Sequence, residues 1–140
     1  MSEILFHGKR LDNGEWVEGF YFERKDNNDE VIEAFIIQDA YEQIINGQRH
    51  LHSSISCECF RVDPITVGQY IGRTDKNGNR IFEGQIVKVN NKLYRVDYYD
   101  PWSEYILYSV TSKYYRGLRD SYNEFEIVGN IHDNPELMEV

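Results

Sequence analysis

Two Asn-Gly pairs flanked by β-forming residues constrain the fold of this chain more than any other feature of its sequence. The pairs are Asn13-Gly14 and Asn77-Gly78. A two-residue hairpin turn of type I′ needs positive φ at both central positions, and asparagine and glycine adopt that conformation most easily. The sequence therefore predicts one β-hairpin near the N-terminus and a second in the middle of the chain.

Runs of alternating apolar and polar residues, rich in β-branched and aromatic side chains, predict further strands. The predicted strands are Val31–Gln38, Ile55–Val62, Phe82–Val89, Lys92–Tyr99, Tyr105–Thr111 and Glu124–Val128. Helical signals are few. Asp39 is placed to cap backbone amides and Gly47 to end a helix, so one short helix is predicted near Asp39–Asn46. Pro135–Met138 is predicted to form one terminal helical turn.

These elements define the expected fold. We expect a mainly β fold, with α+β as the alternative, in which the second half forms a partly closed SH3-like small barrel. The N-terminal hairpin and the short helix accompany that barrel. The whole chain, 1–140, is expected to be one domain, and the alternative is a division into a hairpin and strand region, 1–62, and a barrel-like region, 63–140.

The charge balance restricts the partners of this chain. It carries 24 acidic and 15 basic side chains, a formal net charge of -9. Its average field therefore opposes DNA, RNA and anionic membranes. No apolar run approaches the roughly 18 to 20 residues that span a bilayer, and the first residues do not resemble a signal peptide. The two cysteines, Cys57 and Cys59, are too few for a disulfide framework and are poorly placed to bridge each other within a strand, so we expect a cytoplasmic protein without membrane contact.

Three segments, which reach both ends of the chain, together carry a family resemblance. The first is Phe6-x-Gly8-Lys9 with Gly14-x-Trp16-Val17-x-Gly19. The second is Pro64-x-Thr66-Val67-Gly68-Gln69-Tyr70-x-Gly72, continuing into Asp75-Lys76-Asn77-Gly78-x-x-Ile81-Phe82-Glu83-Gly84-x-Ile86-Val87. The third is Gly129-Asn130-Ile131-x-Asp133-Asn134-Pro135-Glu136-Leu137. In order and spacing these segments resemble the YopX family of phage and prophage proteins.

The resemblance implies a phage-derived accessory protein with no assigned activity. It supplies no catalytic residue and no cofactor. At one position the chain departs from the pattern, because Gln85 stands where such sequences usually carry an acidic residue after the glycine. A charge-dependent role at that position is therefore not carried over, and any chemistry has to be inferred from the chain's own residues.

The sharpest candidate for a metal site is His50-x-His52 followed by Cys57-x-Cys59. Histidine and cysteine are the usual zinc ligands, but structural zinc sites use a wider Cys-x2-4-Cys spacing. Histidine and cysteine in strands also serve as ordinary packing residues. Packing is therefore favoured over metal binding, and no cofactor is expected.

Asp75-x-Asn77-x-Asn79 resembles the start of a calcium-binding loop. That loop requires glycine at its sixth position and glutamate at its twelfth, whereas this chain has Arg80 and Ile86 there. The favoured interpretation is a hairpin turn.

The stretch from Leu93 to Tyr122 contains more large aromatic residues than alternating strands can all point inward. Tyrosine and tryptophan combine an apolar body with a polar tip, which suits protein interfaces. The candidate self-association surface is Tyr98, Tyr99, Trp102, Tyr114 and Tyr115. The alternative is a single-stranded nucleic-acid surface with contacts from Lys113, Arg116 and Arg119. The acidic net charge favours protein contact.

The sequence contains no nucleophile elbow, phosphate loop, dinucleotide fingerprint or zinc-protease helix. Folding could bring carboxylates such as Glu83 and Asp97 together, so a small enzyme with a dispersed site is a further alternative. The favoured function is a non-enzymatic phage or prophage accessory protein. It is expected to form a homo-oligomer and to contact an unidentified phage or host protein.

Purified protein is expected to contain no stoichiometric zinc, because the spacing of His50, His52, Cys57 and Cys59 departs from that of structural zinc sites. Elemental analysis checks this expectation. About one zinc per chain, lost when both cysteines are substituted, would contradict it.

Overall fold

The computed structural model describes residues 4–38, 42–45, 48–51, 58–118 and 124–139. Within them the backbone is mainly β, which confirms the predicted fold class. The strands are β1 (Phe6–Lys9), β2 (Trp16–Lys25), β3 (Val31–Gln38), β4 (Glu42–Ile45), β5 (Gln48–Leu51), β6 (Glu58–Val62), β7 (Gly68–Thr74), β8 (Arg80–Phe82), β9 (Gln85–Val89), β10 (Lys92–Tyr99), β11 (Glu104–Ser109), β12 (Tyr115–Gly117) and β13 (Glu126–Asn130). The described residues fall into two compact units, Ile4–Val67 and the part that begins at Gly68.

Helical structure in the described residues is limited to short 3-10 turns. These turns are Pro64–Thr66, Asp100–Trp102 and Pro135–Met138. The last of them confirms the predicted terminal helical turn. None of the three is long or apolar enough to cross a membrane.

Both predicted hairpins are present, but their turns differ from the predicted type. Gly14 and Gly78 have positive φ, of 74° and 83°, whereas the asparagine before each glycine does not. The amide of Gly78 donates to the carbonyl of Asp75, so this loop is a three-residue turn that ends in a left-handed glycine. The type I′ conformation occurs instead at Asn90 and Asn91, both with positive φ, between β9 and β10.

The first unit is built on an antiparallel sheet in the order β6-β3-β2-β1. One face packs on a core of buried Ala34, Ile36 and Val62. β2 and β3 approach closely at Gly19, where a Cβ atom would lie only 2.5 Å from the carbonyl oxygen of Ile37. Any side chain at this position would push the two strands apart.

The sheet of the first unit curls, because the end of β6 also pairs with the residues that follow β1. Arg10 lies opposite Val62 in an antiparallel bridge. The amide of Asp63 donates to the carbonyl of Lys9 at 2.9 Å, and the amide of Leu11 donates to the carbonyl of Arg61 at 3.1 Å. These bonds bring β6 back to β1 around the core.

The short helix predicted near Asp39–Asn46 is wrong where the structure describes it. Glu42–Ile45 form β4 and pair antiparallel with Gln48–Leu51 of β5. Two causes explain the error. A helix of about two turns is marginal without tertiary support, and an Asn-Gly pair that follows two isoleucines signals a hairpin as readily as a helix end.

The second unit contains an antiparallel sheet in the order β12-β11-β10-β9-β13 and the β7–β8 hairpin. Its core comprises Ile81, Val87, Val89, Tyr94, Val96, Leu107 and Phe125. The sheet is open between β12 and β13 in the described residues, so they form no closed barrel. The partly closed, SH3-like arrangement expected for this half stays a prediction.

The carboxylate of Asp75 fixes the β7–β8 loop and ties it to β13. Its Oδ1 atom accepts hydrogen bonds from the amides of Asn77 and Asn79, both at 2.9 Å, and its Oδ2 atom accepts one from the amide of Ile127 at 3.3 Å. Burial alone would raise the pKa of Asp75, but these backbone donors lower it below its ordinary value. The calcium-like spacing is therefore a turn, as predicted.

Asp75→Ala is expected to lower the free energy of unfolding by about 2–3 kcal/mol, because it removes a buried carboxylate that accepts three partly buried backbone amides. Asp26→Ala is the matched control. Asp26 accepts from the amides of Asn28 and Glu30 in the same way, but in an exposed turn where water can replace it. Its loss should cost less than about 1 kcal/mol. If urea denaturation shows the same decrease in the free energy of unfolding for both variants, the structural role assigned to Asp75 is contradicted.

Candidate protein-interaction surfaces

Four aromatic side chains of the second unit pack into one array, here called the Tyr99 cluster: Tyr99, Trp102, Tyr108 and Tyr115. The ring of Tyr99 lies edge-on to Trp102 with 4.9 Å between centroids and stacks on Tyr115 at 5.2 Å. Tyr115 also contacts Tyr108 at 5.0 Å. The cluster is partly solvated, since Trp102 is 53% exposed and Tyr115 is 44% exposed.

Strand register explains how the cluster assembles. Tyr108 of β11 lies opposite Tyr115 of β12, and Tyr99 of β10 lies opposite Glu104 of β11. Side chains two residues apart share a face of a strand, so rings from three neighbouring strands meet on one side of the sheet. The 3-10 turn Asp100–Trp102 follows β10 directly and adds the indole ring.

The five aromatic residues predicted as one contact surface do not all lie together. Tyr98 and Tyr99 are adjacent in β10, so their side chains leave opposite faces. Tyr98 packs edge-on against Tyr105 instead, at 5.1 Å. Tyr114 forms a hydrogen bond with buried Tyr94. Of the predicted set, only Tyr99, Trp102 and Tyr115 therefore share a surface.

A paired arginine borders the Tyr99 cluster. The guanidinium carbon of Arg95 lies 4.7 Å from the centroid of the Tyr108 ring, within cation–π range. The same guanidinium binds both carboxylate oxygens of Asp97, with its shortest contact at 2.6 Å. The positive charge beside the rings is therefore balanced locally.

The structure describes two of the three basic residues of the nucleic-acid alternative. Lys113 is exposed and has a left-handed backbone with φ of 54°. Arg116 is half-buried and follows Tyr115 in β12, so it leaves the sheet on the opposite face. Arg119 lies outside the described residues.

Glu83 and Asp97, the carboxylates named from the sequence, do lie near each other. Burial raises the pKa of Glu83, and the charge of Asp97 raises it further. Tyr105 is close to the same group, since burial, Glu83 and Tyr98 together raise its pKa to about 12. The charge of Asp97 is balanced by Arg95. The carboxylate whose ionised form is disfavoured is therefore that of Glu83.

Gln85, which stands where related sequences usually carry an acidic residue, stabilises the turn that follows Glu83. Gly84 has φ of 92°, and its amide donates to the carbonyl of Val96 at 2.9 Å. The side-chain oxygen of Gln85 accepts the amide hydrogen of Phe82 at 2.8 Å. A carboxylate could accept the same bond, so the departure from the family pattern leaves this turn intact.

The structure describes only part of the predicted set of metal ligands. His52 and Cys57 lie outside the described residues, and His50 is placed only as a backbone position in β5. Cys59 is an exposed free thiol on β6. In the residues that are described, no three histidine, cysteine or carboxylate side chains are arranged to hold a metal ion.

Sequence analysis missed an apolar surface in the first unit, on the face of the sheet opposite its core. Phe20 pairs with Ile37 and Phe22 with Phe35 across β2 and β3. The two phenylalanines of β2 are 48% and 52% exposed. Phe20 and Phe22 alternate along β2 with Gly19 and Tyr21. Because Gly19 and Tyr21 face the core, Phe20 and Phe22 face solvent, and this alternation was the signal in the sequence.

A groove opens beside this surface, at the edge of the same sheet. It has a volume of about 450 Å³ and is lined by Arg10, Leu11, Asp12, Cys59, Phe60 and Arg61. The guanidinium carbon of Arg10 lies 4.4 Å from the centroid of the Phe60 ring. Arg10 also donates to both carboxylate oxygens of Asp12, at 2.9 and 2.6 Å.

Short antiparallel strands joined by tight turns, with several large aromatic side chains exposed on them, define a small β-sheet protein. The chain belongs to the YopX protein family, whose sequence profile matches residues 6–139. This match confirms the family resemblance. No curated protein matches the chain significantly.

A solved structure shares the fold. The crystal structure of protein EF1440 from Enterococcus faecalis superposes with a TM-score of 0.59 and is 21% identical in sequence. The similarity covers 99% of this chain and 100% of that protein.

Glu83→Gln is expected to stabilise the protein at neutral pH, because the carboxylate is held in surroundings that disfavour its charge. A carboxyl group whose folded pKa is raised contributes stability below its ordinary value of 4.5, and this contribution is lost as pH rises through the folded pKa. The melting temperature of the variant should therefore exceed that of the wild type at pH 7 and converge with it below about pH 4. Glu124→Gln, at an exposed position, is the control and should show no such pH-dependent difference in melting temperature from the wild type.

Proposed function

We propose that this protein is a non-enzymatic phage or prophage accessory protein of the cytoplasm that acts through protein contacts and forms a homo-oligomer. The observation that carries the proposal is the Tyr99 cluster, in which mutually packed rings remain half-exposed. Packing holds the rings in place before any partner arrives. Ordered aromatic side chains lose little conformational entropy on binding, and aromatic residues are enriched in the centres of interfaces.

The electrostatics around the cluster support contact between copies of the same chain. Each copy carries a net charge of -9, so two copies repel each other over roughly 8–10 Å at physiological ionic strength. The centre of a contact must then be apolar or charge-balanced. The cluster meets this condition, because its rings adjoin the paired charges of Arg95 and Asp97.

The contacts of the two candidate catalytic carboxylates, Asp97 and Glu83, support the non-enzymatic part of the proposal. Asp97 is occupied by Arg95. Glu83 is flanked by Asp97 and Tyr105. The packing of strands at a turn is enough to explain why these two carboxylates lie close together. Binding of a substrate is not needed to explain it.

Light scattering at micromolar concentration tests the self-association. The wild type is expected to form a discrete oligomer, strengthened by salt because salt screens the repulsion. A Trp102→Ser, Tyr115→Ser double variant should raise the dissociation constant about tenfold or more, the effect typical of residues at the centre of an interface.

Tyr98→Ser is the matched control, since Tyr98 is 43% exposed and Tyr115 is 44% exposed, but Tyr98 packs outside the cluster. It should leave the dissociation constant unchanged. A monomer at both low and high salt would refute self-association. Equal weakening by the control would place the interface elsewhere. Binding of single-stranded oligonucleotides that weakens steeply with salt would favour the nucleic-acid alternative.

A further inference from the structure

We propose that the Trp102 end of the Tyr99 cluster is a docking site for an arginine side chain on a basic segment of a partner protein. The inference rests on the proposed function, because it takes the cluster to be a surface of protein contact. It goes beyond self-association, since it names the chemistry of a second, different partner and expects the two contacts to respond to salt in opposite directions.

The cluster already binds one guanidinium group from its own chain. Arg95 of β10 lies opposite Tyr108 of β11, and its guanidinium carbon is 4.7 Å from the centroid of that ring. Both carboxylate oxygens of Asp97 accept hydrogen bonds from the same guanidinium. A ring face together with a carboxylate satisfies both the charge and the planar donors of an arginine. The cluster therefore contains an internal example of the recognition proposed for its other end.

At the Trp102 end, the ring and the carboxylates are present without an arginine. Half-buried Glu104 lies directly opposite Tyr99 across β10 and β11, so both side chains leave the same face of the sheet. Asp100 is exposed in the 3-10 turn that also carries Trp102. Within the described residues, neither carboxylate has a hydrogen bond or an ion pair. Two negative charges therefore remain unbalanced beside the indole.

The basic side chains around the cluster do not neutralise these two carboxylates. Three basic residues of the described part of the chain lie within four positions of a cluster residue: Arg95, Lys113 and Arg116. The first is bound by Asp97, and the third leaves the face of β12 opposite to the cluster. The amide of the lysine donates to the carbonyl of Ser109, which is about 16 Å along β11 from Glu104. The local charge at Trp102 is therefore negative.

The indole of Trp102 supplies the ring surface for a cation. It is 53% exposed, and its contact with Tyr99 is edge-on, with 80° between the ring planes. An edge-on contact occupies at most one face of the indole, which leaves ring surface for a ligand. Tryptophan is the aromatic residue that binds cations most strongly. Arginine fits better than lysine, because its planar group can stack on the ring while its N–H edges meet carboxylates.

The same two carboxylates distinguish a basic partner from a second copy. A contact between two copies at Trp102 brings Asp100 and Glu104 of both chains together, so it is opposed at low salt and strengthened as salt screens the repulsion. A segment that carries arginine is attracted instead, so its binding weakens as the salt concentration rises. Low salt therefore favours the basic partner at this surface, and high salt favours self-association.

The probe is a capped peptide of glycine and serine that carries two arginines one residue apart. Titration into the full-length, isotope-labelled protein at low salt should shift the indole N–H resonance of Trp102 and the backbone amide resonances of Asp100 and Glu104. A peptide with citrulline in place of arginine keeps the shape and loses the charge, so it should bind about tenfold more weakly. Raising the salt from about 0.02 M to about 0.2 M should weaken binding of the arginine peptide.

Glu104→Gln should weaken binding of the arginine peptide about tenfold and should strengthen self-association at low salt, because one lost charge acts on the two contacts with opposite sign. Glu126→Gln is the matched control, since it removes the same charge from β13, at the other edge of the sheet from β12. It should have little effect on either contact. Trp102→Leu keeps an apolar side chain but removes the ring, and should weaken peptide binding about fivefold.

Equal affinity for the arginine and citrulline peptides, or the same loss of affinity in Glu104→Gln and Glu126→Gln, would overturn the proposal. Resonance shifts confined to the first unit would overturn it as well. If the protein stays monomeric at high salt but binds the arginine peptide at Trp102, the docking site is supported and self-association is refuted. If the protein self-associates through the cluster and the peptide does not bind, the docking site alone is refuted.

Discussion

The fold depends on satisfying backbone polar groups where its many short strands end. Short polar side chains perform this task at several turns. Asp75 accepts three backbone amides and joins one loop to a distant strand. Thr66 accepts the amide of Lys9 and donates to the carbonyl of Asp63. Near the C-terminus, Asn130 accepts the amides of His132 and Asp133 and in turn donates its own amide to Asn134. A chain rich in turns would otherwise bury unpaired donors, each of which costs free energy.

The residues that carry the YopX resemblance are largely these same turn residues. Thr66, Asp75, Gly84, Asn130 and Asn134 all belong to the matching segments, and each is explained by a backbone hydrogen bond or a backbone conformation. The Tyr99 cluster and the groove at β6 lie mostly outside those segments. The segments that carry the family resemblance therefore account for turns of the fold, whereas the exposed aromatic surfaces are features of this chain's remaining residues.

The mainly β class, the two hairpins and the strands Val31–Gln38 and Lys92–Tyr99 could be predicted because alternation and turn residues act locally. The sequence raised the proximity of Glu83 and Asp97 only as a possibility, because it depends on how the turn at Gly84 packs against β10. The prediction of a short helix was wrong because one Asn-Gly pair is compatible with both a helix end and a hairpin turn. The phenylalanine surface was missed because Phe20 and Phe22 look like core residues until Gly19 and Tyr21 are assigned to the core face. The separation of Tyr98 from Tyr99 follows from the predicted strand Lys92–Tyr99 itself, because adjacent side chains of a strand leave opposite faces, so the two should not have been assigned to one surface.

The two tryptophans are divided between the two compact units, and this gives each unit its own optical reporter. Trp16 is half-buried in the first unit with its ring 4.5 Å from that of His7. Trp102 stands half in solvent in the second unit, against Tyr99. The indole beside an imidazole and the indole beside a phenol differ in both quenching partner and hydration. Intrinsic fluorescence of single-tryptophan variants can therefore follow the loss of structure in one unit separately from the other and reveal whether they unfold together.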